Sequence, residues 1–227
     1  MIKNWKVTAY LCSPLAGEPP MLDAVMEWEL AQRLGYKHHR KLVRDIPLSS
    51  IDRPPIPVAR KDVPGGVVYQ CSSPIIPDGV PEWVEHLNKR IDTDKAALML
   101  TEKQRKSLLV ASGPYKMRHA PQRIRLIDRV VWFVRGDRKE MNKLLKKVPS
   151  LGKLRHYGYG MIARWEYEEV EENHALYAMN QGKQVVMRPL PLQAAIDIGA
   201  GGYKRSFGSC DPPYWHPDRY MDIAVPV

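Results

Sequence analysis

Residues 126–170, LIDRVVWFVRGDRKEMNKLLKKVPSLGKLRHYGYGMIARWEYEEV, pass from a strand to a helix to a glycine-rich loop and back to a strand. Leu126 to Arg135 is rich in β-branched and aromatic residues and reads as a strand. DRKEMNKLLKKV, residues 137–148, reads as a helix. Asp137 with Glu140 makes a capping-box-like start, and Met141, Leu144, Leu145 and Val148 recur at helical spacing on one face. Lys139, Lys143, Lys146 and Lys147 fall outside that stripe. MIARWEYEEV, residues 161–170, is the returning strand, with Trp165 expected in the core.

Between helix and strand, Gly152, Gly158 and Gly160 are interleaved with Lys153, Arg155, His156, Tyr157 and Tyr159. A tight turn needs one or two glycines for a positive φ, but it needs neither the cations nor the rings. Glycine lets main-chain N–H groups approach a phosphate, a cation neutralises it, and an aromatic ring stacks an unpaired base. The combination therefore points to RNA outside a duplex. Tyr157 or Tyr159 would stack the base, and Tyr159 is the first candidate for an exception should one of the two belong to the core.

Outward from this unit, IKNWKVTAYLC, residues 2–12, reads as a first strand, broken by SPLAGEPP. Leu22, Val25, Met26, Leu30 and Leu34 follow helical spacing from Met21 to Leu34, with Pro20 suited to the first turn and Gly35 to the stop. Asp23 lies in the first turn, where an acid favours the helix dipole. Residues 37–64 are basic and proline-rich, which forbids long helices and central strands. A short strand follows at Val67–Cys71, then a short helix over 81–92 carrying Trp83, Val84 and Leu87. From Lys103 to Arg125 there is no acidic residue, and SGPYKMRHAPQRIR mixes turn residues with cations in the manner of a hairpin or arm. Lys116, Arg118, Arg123 and Arg125 are its candidate phosphate ligands.

The expected order is strand, helix, strand, strand, helix, glycine loop, strand. It matches an α+β, ferredoxin-like or RRM-like plan, an antiparallel sheet with two helices on one face. Residues 1–170 would form this domain, with a long insertion at 37–125 between the middle strands, part of it a thumb-like hairpin. Residues 171–227 carry one expected strand at Gln184–Arg188, the loop GAGGYKRSFGS and a proline-aromatic clasp, DPPYWHP. They are too short to trust as a separate core and are expected to pack on the first domain.

The chain has 227 residues and a formal charge of +10. The segment from Lys103 to Arg155 holds 16 Lys and Arg against Asp128, Asp137 and Glu140, so it carries +13 and the remainder −3. A concentrated positive field favours polyanions. An apolar run near the roughly 20 residues of a spanning helix is lacking, as is a leader-like N-terminus, so a soluble, cytoplasmic protein away from membranes is expected. Cys12, Cys71 and Cys210 are far apart and never in a C-x-x-C pair, which indicates reduced, packed thiols rather than a disulfide or zinc framework. The P-loop, H-E-x-x-H, G-x-S-x-G and dinucleotide G-x-G-x-x-G patterns are all missing, and neither a cofactor nor a metal is expected.

SPLAGEPPMLDAVMEWEL at 13–30, GKLRHYGYGMIARWEYEEV at 152–170 and PPYWHP at 212–217 together resemble the RAMP proteins of CRISPR effector complexes, and within them the Cas-five-like subunit of type IV systems. The resemblance implies a non-catalytic subunit that grips the 5′ handle of a guide RNA, caps a filament of backbone RAMP subunits and touches the large subunit, with the target DNA duplex as a further neighbour. KHHRK, with His38, His39, Arg40 and Lys41, is expected to extend the RNA-binding face. Histidine titrates near neutrality, so His38, His39 and His156 also define the alternative, a metal-independent endoribonuclease that cuts repeat RNA. A third reading is an RNA-binding protein outside CRISPR, such as a ribosome-associated factor.

Overall fold

The computed structural model describes residues 1–34, 55–89, 92–101, 116 and 118–227. Gly35, His38, His39, Arg40, Lys41 and most of the expected insertion lie outside the described residues, as do residues 102–115 of the arm. The first half of the chain runs β1 (Ile2–Leu11), β2 (Leu15–Ala16), α1 (Leu22–Arg33), β3 (Arg60–Val63), β4 (Gly66–Tyr69), β5 (Glu82–Lys89), α2 (Thr93–Met99) and β6 (Arg118–Arg125). The second half runs β7 (Arg129–Asp137), α3 (Arg138–Leu145), β8 (Ile162–Glu169), β9 (Tyr177–Asn180), β10 (Lys183–Val186), β11 (Leu190–Pro191), α4 (Leu192–Asp197), β12 (Tyr203–Gly208) and β13 (Met221–Pro226). The class is α+β with antiparallel sheets.

The central sheet has the order β7-β1-β8, and both pairings are antiparallel. Alternation decides its faces: Val130, Trp132 and Val134 of β7 are buried, while Arg129 and Arg135 are exposed. The buried side meets Leu22 and Met26 of α1 and Met141 and Leu145 of α3. Asp137 caps α3 as the sequence predicts, its Oδ1 accepting from the Lys139 and Glu140 amides at 2.9 and 3.2 Å. Arg33 at the end of α1 donates to the Lys143 carbonyl at 2.8 Å, so the two helices lie together on one face.

This arrangement is compatible with the ferredoxin-like plan, with one departure. The fourth sheet position, along the free edge of β7, is held by single bridges at Val58, Cys71 and Ile75 rather than by a regular strand. Pro57, Pro74 and Pro77 explain it, since proline lacks the N–H that a ladder requires. β4 pairs with β3 instead, as a hairpin inside the region expected to be irregular.

The helix expected over 81–92 is a strand. Trp83, Val84 and Leu87 fit helical spacing, but β5 pairs with β6 along its whole length, from Glu82 opposite Arg125 to Lys89 opposite Arg118. An eight-residue ladder, opened by the oppositely charged pair Glu82 and Arg125, outweighs a three-residue local pattern. The single strand expected after residue 171 is likewise corrected, to the hairpin β9–β10 and the sheet β11-β13-β12. These strands have two to six residues, too few for alternation to register in the sequence.

The C-terminal residues build a small cluster of Leu176, Val186, Leu190, Ala195, Cys210, Ile223 and Ala224, completed by Val68 of β4. Arg188, fully buried, locks this part to the first. Its guanidinium donates to the carbonyls of Tyr69, Cys71 (3.1 Å) and Cys210 (2.9 Å) and reaches Asp23 at 3.3 Å. Tyr214 of the clasp donates to Asp23 at 2.6 Å. Asp23 is thus more than a first-turn acid: it is the buried counter-ion of Arg188. Burial and the neighbouring Asp23 charge push the Tyr214 phenol up, and the Cys71 thiol with it. Cys71 and Cys210 are packed as expected, whereas Cys12 is exposed. Among the described residues no helix is long and apolar enough to cross a membrane.

Candidate nucleic-acid interface

Main-chain pairing brings the glycine loop and the arm together although they lie far apart in sequence. β6 pairs with β5 on one side and with β2 on the other, at Leu15 opposite Arg125 and Ala16 opposite Ile124. Ala16 then bridges Lys153, whose amide donates to the Ala16 carbonyl at 2.9 Å. The ladder therefore runs from the arm through β2 into the loop. A side-chain link adds to it, the Tyr159 hydroxyl donating to Glu85 of β5 at 2.5 Å. That hydrogen bond holds the Tyr159 phenol above its ordinary pKa.

The glycines of the loop serve packing more than ligand approach. A Cβ on Gly160 would stand 2.2 Å from the Leu151 carbonyl oxygen, and one on Gly152 2.6 Å from that of Ala16, both at positive φ. Only Gly158 faces open space. Two of the three amides expected to be offered to phosphates are also engaged: Gly160 donates to the Pro14 carbonyl at 2.7 Å and Gly158 to that of Arg155 at 3.1 Å. What the loop presents is side chains, carried on the one-turn helix Arg155–Tyr157. Lys153, Arg155 and His156 are exposed and Tyr157 is 63% exposed, its ring centroid 4.3 Å from that of His156.

The arm divides into a root and a tip. At the root, Arg125 is buried and held by Glu18 (2.5 and 2.8 Å) and Glu82 (2.8 Å). Arg123 pairs with the same two acids at 3.7 and 3.2 Å. Of these two candidate phosphate ligands, Arg125 is buried in its ion pairs and holds the arm, while Arg123 pairs from an exposed position. The hydrogen bond from Arg125 keeps the Glu82 carboxyl below its usual range. Toward the tip, Lys116 and Arg118 are exposed, and His86 stacks on His119 with centroids 4.5 Å apart. His38, His39, Arg40 and Lys41 cannot be placed against this surface, being outside the described residues.

One residue that the periodicity hid completes the surface. Trp28 lies off the buried stripe of α1 and 41% exposed, with the Arg155 guanidinium 4.8 Å from its ring centroid. The two border a cleft of about 310 Å³ between α1 and the glycine loop. The signal available in the sequence was a tryptophan outside the helix's apolar face, where burial does not require one. Among the described residues no cluster of three or more His, Cys, Asp or Glu is placed to hold a metal.

The glycine loop and Trp28 thus present cations beside aromatic rings, which is the chemistry that single-stranded nucleic acid selects. No curated protein matches the chain. A family model described as CRISPR type IV associated protein Csf3 matches residues 3–226, nearly the whole length. The chain therefore belongs to the Csf3 family of CRISPR type IV associated proteins.

Proposed function

We propose that this protein is a non-catalytic, guide-RNA-binding subunit of a type IV CRISPR ribonucleoprotein. The glycine loop and the tip of the arm grip the 5′ handle of the guide RNA, and the subunit caps a filament of RAMP-type backbone subunits beside the large subunit. Target DNA, whose duplex would pass nearby, is then read mainly by base pairing with the guide.

The observation that supports this reading is the ladder that ties the arm carrying Lys116 and Arg118, through β2, to the loop carrying Lys153, Arg155 and Tyr157. A binding role rather than a cleaving one is supported by the loop's chemistry. General acid–base cleavage of RNA needs two positioned proton-transfer groups, and the loop supplies one histidine, His156.

The test is to mix the protein with end-labelled repeat RNA in EDTA and to run native and denaturing gels on the same sample. The expected result is a shifted, intact RNA whose shift weakens in Lys153→Ala/Arg155→Ala. A discrete shorter product, lost in His38→Ala or His39→Ala, would make the protein the processing enzyme instead. Co-purification with ribosomal RNA, in place of guide RNA and filament subunits, would remove the CRISPR role.

A further inference from the structure

The cleft between α1 and the glycine loop has an apolar floor, Ala24, Val25, Val148 and Leu151, and one wall formed by Trp28. At about 310 Å³ it lies at the small end of the range of about 300–1,000 Å³ for ligand sites. That is room for one flat group rather than for a peptide or a lipid chain. Its rim carries Lys153 and Arg155, and the one acid there, Glu18, is already neutralised by Arg125 and Arg123. The Lys153 stem runs beside Gly17, where a Cβ would stand 3.1 Å from its Cδ, and its amide is bonded to Ala16. Ser150, nearly buried, puts a hydroxyl against the same space.

We propose that this cleft holds one unstacked nucleobase of single-stranded RNA, with Trp28 as its stacking face and Lys153 on the adjoining phosphate. The assignment rests on the RNA-binding reading above and gives it a defined subsite. A base has apolar faces, a polar edge and a phosphate a few bonds away, and the cleft supplies indole, hydroxyl and cation in matching order. Arg155 now lies over the Trp28 ring, where it shields the indole. With a base inserted, the planar guanidinium stacks on the base's outer face, a role that its flat, weakly hydrated cation suits. The cation count at the rim selects this ligand over a protein side chain, which would bring no phosphate to meet Lys153.

The experiment measures the affinity of the full chain for repeat RNA and for a series of the same RNA with one abasic site moved through the 5′ handle. It compares wild type, Trp28→Ala and Trp28→Phe. Trp28→Ala is expected to weaken binding by about 5- to 150-fold, the range for one stacked base, and Trp28→Phe by much less. One abasic position is expected to weaken wild type by a similar factor and to leave Trp28→Ala unaffected. A merely structural role for Trp28 predicts equal abasic penalties in both proteins, and that outcome overturns the subsite. Wild-type affinity in Trp28→Ala with RNA still bound overturns the subsite and leaves the RNA-binding reading standing. Failure of the wild-type protein to bind any RNA of the series overturns both. Matching circular dichroism and thermal melts for the variants establish that they are folded.

Discussion

The arm root and the glycine loop are built from the same residue types and use them in opposite ways. At the root, Arg123 and Arg125 face Glu18 and Glu82 and their charge is cancelled where it stands. In the loop, Lys153 and Arg155 are exposed, and among the described residues no acid pairs with either. A count along the sequence weighs the two alike. What separates them is whether the fold brings a carboxylate across: Glu82 arrives by strand pairing and Glu18 from the turn after β2. The cations left over are the ones with a field to offer a polyanion.

The largest effect that sharpens this contrast lies in the loop's backbone. Gly160→Ala forces a Cβ to 2.2 Å from the Leu151 carbonyl at a φ of +64°. A clash with main chain added to left-handed strain is expected to cost about 3 kcal/mol or more of unfolding free energy. Gly158→Ala meets open space and carries only the φ penalty, about 1 kcal/mol. Urea unfolding of both variants checks the difference. Equal costs would mean that the loop is held by its side chains and not by its close approach to Leu151 and Leu15.

Next in size is the exchange of stability for binding between root and loop. Arg125→Ala leaves Glu18 and Glu82 with the exposed Arg123 as their remaining cation and is expected to cost about 1–3 kcal/mol of stability. The salt dependence of RNA binding should stay as in wild type. Lys153→Ala should do the reverse. Surface truncation changes stability by no more than about 0.5 kcal/mol, while one lost phosphate contact flattens the log–log salt slope by about one unit. Binding isotherms across a salt series, paired with thermal melts, measure both. A flattened slope in Arg125→Ala would return that arginine to the RNA face.

The parts of this fold that were legible in the sequence are those whose partners lie within one turn or one strand. α3 announced itself because Asp137 caps its own first turn and Met141, Leu144 and Leu145 recur on one face. β7 did so because every residue from Val130 to Val134 is β-branched or aromatic. β5 was misread because the residues that make it a strand, Arg118 to Arg125, lie about thirty to forty positions on. The same reason hid the role of Asp23, whose partners Arg188 and Tyr214 are 165 and 191 residues away. In the candidate site, the loop's composition was visible, but the engagement of its glycine amides and the contribution of Trp28 needed the fold. A glycine required for packing and one required for a ligand are written with the same letter.

A smaller effect follows from acid. The Glu82 carboxyl is held below its ordinary value by the hydrogen bond from Arg125, so its ionised form is the one the folded arm favours. A carboxylate depressed in the folded state contributes stability above its unfolded pKa and loses it as pH falls toward the folded value. The root should therefore loosen from about pH 4.5 downward, the ordinary glutamate value. Amide exchange in β5 and β6 should rise there before that of β1 and β7. In Glu82→Gln this early step should vanish. If the arm and the central sheet lose protection together, the root is not a separate unit.

The smallest expected effect tests the side-chain link from Tyr159 to Glu85. Tyr159→Phe removes the hydroxyl that donates to Glu85 and keeps the ring, at a cost of about 0.5–1.5 kcal/mol. The β2 ladder would still join arm to loop, because Ala16 pairs with Ile124 on one side and Lys153 on the other. RNA affinity should then fall only a few-fold, through a less fixed angle between tip and loop rather than through a lost contact. A fall as large as that of Lys153→Ala/Arg155→Ala would mean that Tyr159 itself meets the RNA and that Glu85 holds its place in the absence of a ligand. An unchanged affinity with unchanged exchange in β5 would assign the arm's position to main-chain pairing alone, and the arm would then be set by β2, two residues long, rather than by the side chains of the loop.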